Sequence, residues 1–278
     1  MTTMVGAMSG YLVPTKQVRV SDLQARKGDK PWAMLTCYDY STARAFAAAG
    51  IECILVGDSA ANVMLGYDST TAVTLDEMAM LGAAVVRGAG NALVVVDLPF
   101  GTYEASDEQA VRSATELLRR TGGHVIKLEG GVRMADRIAA LKRAGLAVCA
   151  HVGFTPQSVN GLGGFKVQGR GDAAQAVRDD VAAVVEAGAD MVVFEMVPAQ
   201  LAADITANCP IPTVGIGAGA GCDAQVLVWH DMLAVPEGGR RPIFVGVFGA
   251  VGAELTRGAA SYKEAVEKGT FPTADKDF

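Results

Sequence analysis

The sequence has too little basic charge for several roles. Its 24 lysines and arginines face 30 aspartates and glutamates, a net charge of −6. Nucleic acid and anionic membranes both need a basic surface, so the balance argues against either as a partner. Long apolar runs are also missing. The longest, PIFVGVFGAVGAEL from Pro242, falls short of the ~18 residues that cross a bilayer and is broken by glycines. No basic residue precedes Lys16 and no apolar signal core follows, so about residues 1–15 are expected to be a flexible tail. The five cysteines are odd in number, widely spaced and without a CxxC pair. That pattern argues against a disulfide framework and fits buried thiols in a reducing cytoplasm. Disorder is excluded by 50% hydrophobic and 19% charged residues.

What is present is a repeat. Apolar runs, each nearly continuous, stand at Trp32–Asp39, Glu52–Ser59, Ala92–Phe100, His124–Gly131, Leu146–Gly153, Asp190–Pro198, Ile211–Gly219 and Gln225–Met232. Continuous apolarity marks strands buried on both faces. Alanine-rich amphipathic segments lie between them. One opens at Ser41; another has Thr74 as N-cap with Glu77 three residues on, the spacing of a capping box. A third has Ser106, Asp107 and Glu108 at its start, then Arg119, Arg120 and Gly122 at its end, as the helix dipole favours. Eight such units in one chain predict a (β/α)8 barrel, for which about 250 residues is typical. A doubly wound open sheet is the alternative. No linker divides the chain, so residues 1–278 are read as one barrel domain, with a second flexible tail at about 271–278. The irregular stretch 153–171 is long enough to be a functional loop.

Barrel active sites lie at the C-terminal strand ends. Reading those ends in order gives Asp58, Asp97, Glu129, His151 and Glu195, on the second to sixth strands. One acid there can be a helix cap, and Asp58 has that option. Five consecutive strands each delivering an ionisable group is a different matter. Neighbouring strands are ~4.8 Å apart, so Asp58, Asp97 and Glu129 can converge. Three carboxylates that close need a cation between them or must take up protons. All-oxygen ligation selects a hard ion such as Mg²⁺, whereas zinc would want more than His151. The strand period places Lys127 on the face of Glu129, either as an internal ion pair or as an anchor for an anionic substrate. Glu195 stands apart from the three acids, in VVFEMVP, with Phe194 and Met196 expected to face the helices. A carboxylate in that apolar setting can be tuned as a base by desolvation. His124 begins its strand and reads as structural. His230, near the end of the eighth strand, is open between the two roles. GIGAGAG at 215–221 follows the seventh strand, not the first, so a dinucleotide fingerprint is the weaker reading. The better one is a loop whose backbone approaches a ligand closely.

From about Thr36 to Asp231 the motifs VGDS, VVVDLPFGTYE, KLEGG, HVGFTPQS, GGFKVQGRG, FEMVP and GIGAGAGCDAQVLVWHD follow one another in order. Their succession resembles the ketopantoate hydroxymethyltransferase family. The resemblance implies a barrel of the phosphoenolpyruvate/pyruvate superfamily, Mg²⁺ dependence and a cytoplasmic homo-oligomer, usually a decamer. It implies hydroxymethyl transfer from 5,10-methylenetetrahydrofolate to 3-methyl-2-oxobutanoate, giving 2-dehydropantoate for pantothenate and coenzyme A synthesis. Matched by motif, Asp58, Asp97 and Glu129 are metal ligands. Asp58, Ser59, Asp97 and Lys127 contact the ketoacid, and Glu195 is the general base. Lys166 and Arg170, in the long loop, are candidates for a lid or a folate-side wall. The pattern is left after Asp231, where RRPIFVGVFGAVGAEL replaces the usual basic and aromatic segment. Two other functions stand beside this one. A Mg²⁺-dependent lyase or mutase of the same superfamily would carry a K-x-C-G-H loop, which is absent. A non-catalytic ketoacid-binding barrel would have no need of the full set of acids.

Overall fold

The computed structural model describes residues 17–235, 241–273 and 276. The chain opens with α1 (Val20–Gln24), β1 (Trp32–Thr36), α2 (Tyr40–Ala48), β2 (Cys53–Val56), α3 (Ala60–Val63) and α4 (Leu75–Gly88). It continues through β3 (Leu93–Asp97), α5 (Asp107–Thr121), β4 (Val125–Glu129), α6 (Ala135–Arg143), β5 (Val148–Gly153) and α7 (Ala174–Glu186). It closes with β6 (Met191–Glu195), α8 (Ala199–Asn208), β7 (Thr213–Ile216), β8 (Ala224–Leu227), α9 (Trp229–Met232) and α10 (Val251–Glu267). The strands are parallel and close in sequence order, β8 pairing back onto β1, so the expected barrel is found and the open sheet is not.

Two apolar clusters hold it together. One fills the barrel interior with Met34, Leu55, Val95, Val125, Met191, Val193 and Val226. Leu23 of α1 belongs to it and plugs the lower mouth, fully buried. The other lies between strands and helices and includes Ile54, Val94, Leu128, Ala150, Val192 and Phe194. Alternation along each strand feeds both clusters, which is why the runs read as continuously apolar. Burial of each such aliphatic side chain contributes about 1.5–3 kcal/mol relative to leaving it exposed. The interior is apolar only in its lower part. Toward the C-terminal strand ends the inward positions become Thr36, Asp97, Lys127, Glu129, His151 and Glu195.

The local signals account for most helix starts. Thr74 and Glu77 exchange the reciprocal bonds of a capping box, and Ser106 caps α5 by accepting from the Gln109 amide. Gly122 ends α5 in the left-handed conformation at φ 73°. The start expected at Ser41 belongs to Asp39, whose side chain accepts from the Thr42 amide. Three larger differences follow from tertiary packing. No helix separates β7 from β8; a glycine loop does. The eighth strand stops at Leu227, and Trp229–Met232 forms a helical turn. α10 leaves the barrel: among its residues only Gly252 is buried, while Leu255, Tyr262 and Val266 are exposed. All five cysteines are free and buried, as expected. The expected tail at 1–15 lies outside the described residues, as do 274, 275, 277 and 278 of the second.

Candidate active site

Strand register brings the predicted residues to one rim. Asp97 of β3 lies opposite Lys127 of β4, Glu129 opposite His151 of β5, and Gly153 opposite Glu195 of β6. Asp58 and Ser59 follow β2 at the same mouth. These side chains line one cleft of about 310 Å³, with Phe165, Pro156 and Asp231 among its other walls. The helix-cap option for Asp58 is not realised, because α3 is preceded by Ser59 and no side chain caps it.

The contacts are dense. Lys127 Nζ donates to Asp97 Oδ1 at 2.7 Å, and the Asp58 amide donates to Asp97 Oδ2 at 3.0 Å. Gln157 Nε2 donates to Asp58 Oδ2 at 2.9 Å, and its backbone amide donates to Glu129 Oε2 at 2.9 Å. His151 stands between two acids, Nδ1 3.3 Å from Glu129 Oε1 and Nε2 3.2 Å from Glu195 Oε2. Both are ion-pair contacts lying off the line of a hydrogen bond. The Glu195 side chain is 17% exposed against 2% for Glu129, so it is the acid that solvent and substrate reach. The lone carboxylate of the sequence thus has a partner, the imidazole of His151.

The electrostatics follow. Burial, reinforced by the charges of Glu129 and Asp97, holds the Asp58 carboxyl well above the usual range, with Lys127 and the Gln157 bond working the other way. Burial and Lys127 pull His151 down, but its contacts with Glu129 and Glu195 outweigh them and push it up to about 9. Lys127 is likewise raised, the three acids around it outweighing its burial. Counted as ionised, Asp58, Asp97, Glu129 and Glu195 face one ammonium and one imidazolium, a deficit of two positive charges. A divalent cation would balance it, and without one Asp58 holds its proton more tightly.

The donor set fits a hard cation at two of the three acids. Glu129 Oε1 is buried without a hydrogen-bond partner, and Asp58 spends only Oδ2 on Gln157. Asp97 is different: both oxygens are engaged, one by Lys127 and one by a backbone amide. Accordingly no three His, Cys, Asp or Glu side chains among the described residues already stand in ion-holding geometry. Ser59 Oγ shares a hydrogen bond of 2.8 Å with the fully buried Tyr38 hydroxyl and faces the cleft.

Other expected residues lie elsewhere. His124 Nδ1 accepts from the Val94 amide at the lower end of the barrel, the structural place expected of it. His230 is buried in a stack with Trp229 and Tyr38, outside the cleft. Arg170 and Lys166 are exposed and do not line the cleft; the long loop contributes Pro156 and Phe165 instead, the latter packed on Phe154 at 4.9 Å. Phe194 joins the cluster under the helices, but Met196 lies beyond the strand with φ 49°. The glycine loop is packed against protein. A Cβ at Gly217 would stand 2.7 Å from Phe244, one at Gly219 2.4 Å from Ala199, and one at Gly221 2.6 Å from Ala203. Close approach is the reason for those glycines, and the neighbour on the side a Cβ would occupy is protein. The residues that sequence reasoning missed are Gln157, Tyr103, Tyr38 and, as a wall of the cleft, Asp231. The first three carry no local signal, since an uncharged polar residue in or beside a loop has many uses.

In overall shape the barrel is like that of phosphoenolpyruvate phosphomutase from Streptomyces platensis subsp. rosaceus, with a TM-score of 0.62 at 15% identity over 91% of this chain and 88% of that one. It is also like 2,3-dimethylmalate lyase, a member of the PEP mutase/isocitrate lyase superfamily, with a TM-score of 0.58 at 16% identity over 96% and 92%. These likenesses show the fold alone. Sequence relatives lie much nearer. A 3-methyl-2-oxobutanoate hydroxymethyltransferase of Corynebacterium jeikeium is 65% identical over 97% of this chain and 96% of its own. One from Corynebacterium diphtheriae is 64% identical over 95% and 100%, and one from a Mycobacterium species is 57% identical over 99% of both. The family model for ketopantoate hydroxymethyltransferase matches residues 17–274, and the chain belongs to that family.

Proposed function

We propose that this protein transfers a hydroxymethyl group to 3-methyl-2-oxobutanoate, giving 2-dehydropantoate for pantothenate and coenzyme A synthesis, with 5,10-methylenetetrahydrofolate as donor and Mg²⁺ at the acidic rim. The observation that carries this reading is a division of labour among four acids. Asp58 and Glu129 offer oxygens to a cation, Asp97 fixes Lys127, and Glu195 stands apart against His151.

The substrate is an anion with a weakly acidic C–H beside a ketone. Lys127 keeps two of its three ammonium donors beyond the one given to Asp97, enough to hold a carboxylate or a keto oxygen. Ser59, oriented by Tyr38, supplies a neutral donor beside it. Asp58, Glu129 and, by exchanging its bond to Lys127, Asp97 would hold Mg²⁺. When bound, that ion supplies Lewis-acid stabilisation of charge on the keto oxygen. Glu195 then accepts the C3 proton, and the imidazolium of His151 keeps the carboxylate aimed at it. Water adds to the methylene carbon of the folate iminium, and the carbon–nitrogen bond then breaks, leaving formaldehyde and a folate nitrogen that carries the proton. The carbanion equivalent at C3 bonds to the formaldehyde carbon, whose oxygen becomes the new hydroxyl by taking the proton held on Glu195. The exposed ring of Phe165, packed on the buried Phe154 at the edge of the long loop, supports placing the flat pterin against it, with Arg170 farther out.

A homo-oligomer is part of the proposal. Leu255, Ala259, Tyr262 and Val266 make a stripe at four-, three- and four-residue spacing on a helix in which only Gly252 is buried, the pattern of a helix with a partner surface. Among the described residues no helix is long and apolar enough to cross a membrane; a cytoplasmic location is part of the proposal. The function is tested by incubating protein, Mg²⁺ and 3-methyl-2-oxobutanoate in D₂O without folate and following the C3 proton by NMR. Exchange that stops on chelation with EDTA is expected, and 2-dehydropantoate should form once the folate is added. A binding protein gives no exchange, and a lyase gives no such product.

A further inference from the structure

We infer that Gln157, locked by Tyr103, is the positioning residue that sets the two cation-facing carboxylates, Asp58 and Glu129, at their working separation. The inference rests on the metal reading of the acidic rim.

Gln157 sits just after β5, on the first turn of the long loop, and is 7% exposed. Its contacts run to three other strand ends. Nε2 donates to Asp58 Oδ2, beyond β2, and to the Leu98 carbonyl, beyond β3, at 2.9 and 3.0 Å. Its backbone amide donates to Glu129 Oε2, at the end of β4. The remaining side-chain atom, Oε1, accepts from the Tyr103 hydroxyl, whose oxygen in turn accepts from the Glu129 amide at 3.2 Å. Tyr103 is 1% exposed. Every hydrogen-bonding group on the Gln157 amide is therefore used.

This arrangement has one orientation. Turning the amide over would set Oε1 against the Asp58 carboxylate and the Leu98 carbonyl, two acceptors with no proton to offer it, and would give up the short Tyr103 bond, leaving that hydroxyl only the Glu129 carbonyl at 3.5 Å as acceptor. In a buried site such mismatched polar pairs are costly. Asp58 and Leu98 thereby decide which end of the amide faces them, and Tyr103 holds the other end in place. Asp58 and Glu129 repel each other and lie on strands that are not neighbours. A single residue that donates to both, one bond from the side chain and one from the backbone, fixes what repulsion would otherwise spread. The two oxygens not engaged by Gln157, Asp58 Oδ1 and Glu129 Oε1, are then the ones left to a cation, the second of them standing 3.3 Å from His151 Nδ1. Hydrogen bonds to ligating carboxylates commonly hold tenfold or more of metal affinity.

The test uses Mn²⁺ alone, titrated into the full-length protein and read by electron paramagnetic resonance at one fixed pH. Gln157→Met keeps side-chain length and the backbone bond to Glu129 while removing the bonds to Asp58, Leu98 and Tyr103. Tyr103→Phe removes one atom. Each folded variant is expected to bind Mn²⁺ at least about tenfold more weakly than the parent. The double variant should lose less than the product of the two losses, because the residues act as one unit. A role in packing alone would lower melting temperature and leave Mn²⁺ affinity in place. Parental affinity in either folded variant, or losses that multiply, overturns the inference. If Gln157→Met does not fold, Tyr103→Phe decides. If the parent takes up no Mn²⁺, the metal reading fails and the inference fails with it, an outcome distinct from tight parental binding with unaffected variants.

Discussion

Replacing Glu195 with glutamine changes one oxygen to nitrogen and leaves the shape of the side chain. The carboxylate touches His151 Nε2 at 3.2 Å and shares no hydrogen bond with Asp58, Asp97 or Glu129. Its loss should therefore leave Mn²⁺ affinity within about twofold of the parent, as expected of sites without shared contacts. Binding of 3-methyl-2-oxobutanoate, held by Lys127 and Ser59, should hold as well. Exchange at C3 should not. A positioned general base contributes about 10²–10⁴ in rate, which at 1.36 kcal/mol per decade is about 3–5 kcal/mol of barrier. Losing one of two carboxylates also removes a cause that holds His151 near 9, so the imidazole of the variant should titrate lower. The assay is the D₂O exchange experiment on parent and Glu195→Gln side by side, with Mn²⁺ titration as the control. Exchange at the parental rate would refute the role of Glu195. A large loss of Mn²⁺ affinity would place Glu195 in the metal set and refute the division of labour.

Lys127→Met should leave Asp97 as a buried charge without its counter-ion, lowering stability by about 3–5 kcal/mol in urea unfolding and weakening ketoacid binding; a stable variant with normal binding would make the pair dispensable. Gly219→Ala should destabilise the fold, since the residue has φ 76° and its Cβ would meet Ala199 at 2.4 Å, yet leave ketoacid KM unchanged in the folded fraction; a raised KM with normal stability would return the loop to ligand binding. His230 is held down to about 4 from 6.5 by burial, so its neutral form carries stability that is whole above pH 6.5 and is lost as pH falls toward 4, where the unfolded chain takes the proton first. His230→Gln should flatten that part of the melting temperature against pH curve, and identical slopes would remove His230 as the cause.

Several of these positions could be read from the chain before it folded, and others could not. Lys127 and Glu129 were placed on one inward face by the period of two, and Leu128 lies on the other face as that period demands. Thr74 with Glu77, and Ser106 with Gly122, declared the ends of two helices because capping is a contact over three or four residues. The glycine loop was half legible. Its glycines announced close approach, but what approaches is α8 and Phe244, which sequence distance hides. Arg170 was legible only as a charge on the long loop. An arginine on a loop faces solvent unless something folds over it, and Arg170 is exposed and off the cleft, where Phe165 takes the wall; its folate-side role stays part of the proposal.

The sequence by itself determined the barrel and the inventory of its site. Strand periodicity, βα alternation and the strand-end acids are local patterns, and they suffice to say that Asp58, Asp97, Glu129 and Glu195 meet at one rim. Only the tertiary structure decided how those acids divide their work. Asp97 is spent on Lys127, Glu195 is paired with His151, and Asp58 and Glu129 are tied through Gln157. Those assignments depend on hydrogen bonds and an ion pair between residues 28 to 99 positions apart. No local pattern encodes such pairings, because they exist only once eight strands have closed and set four loops against one another.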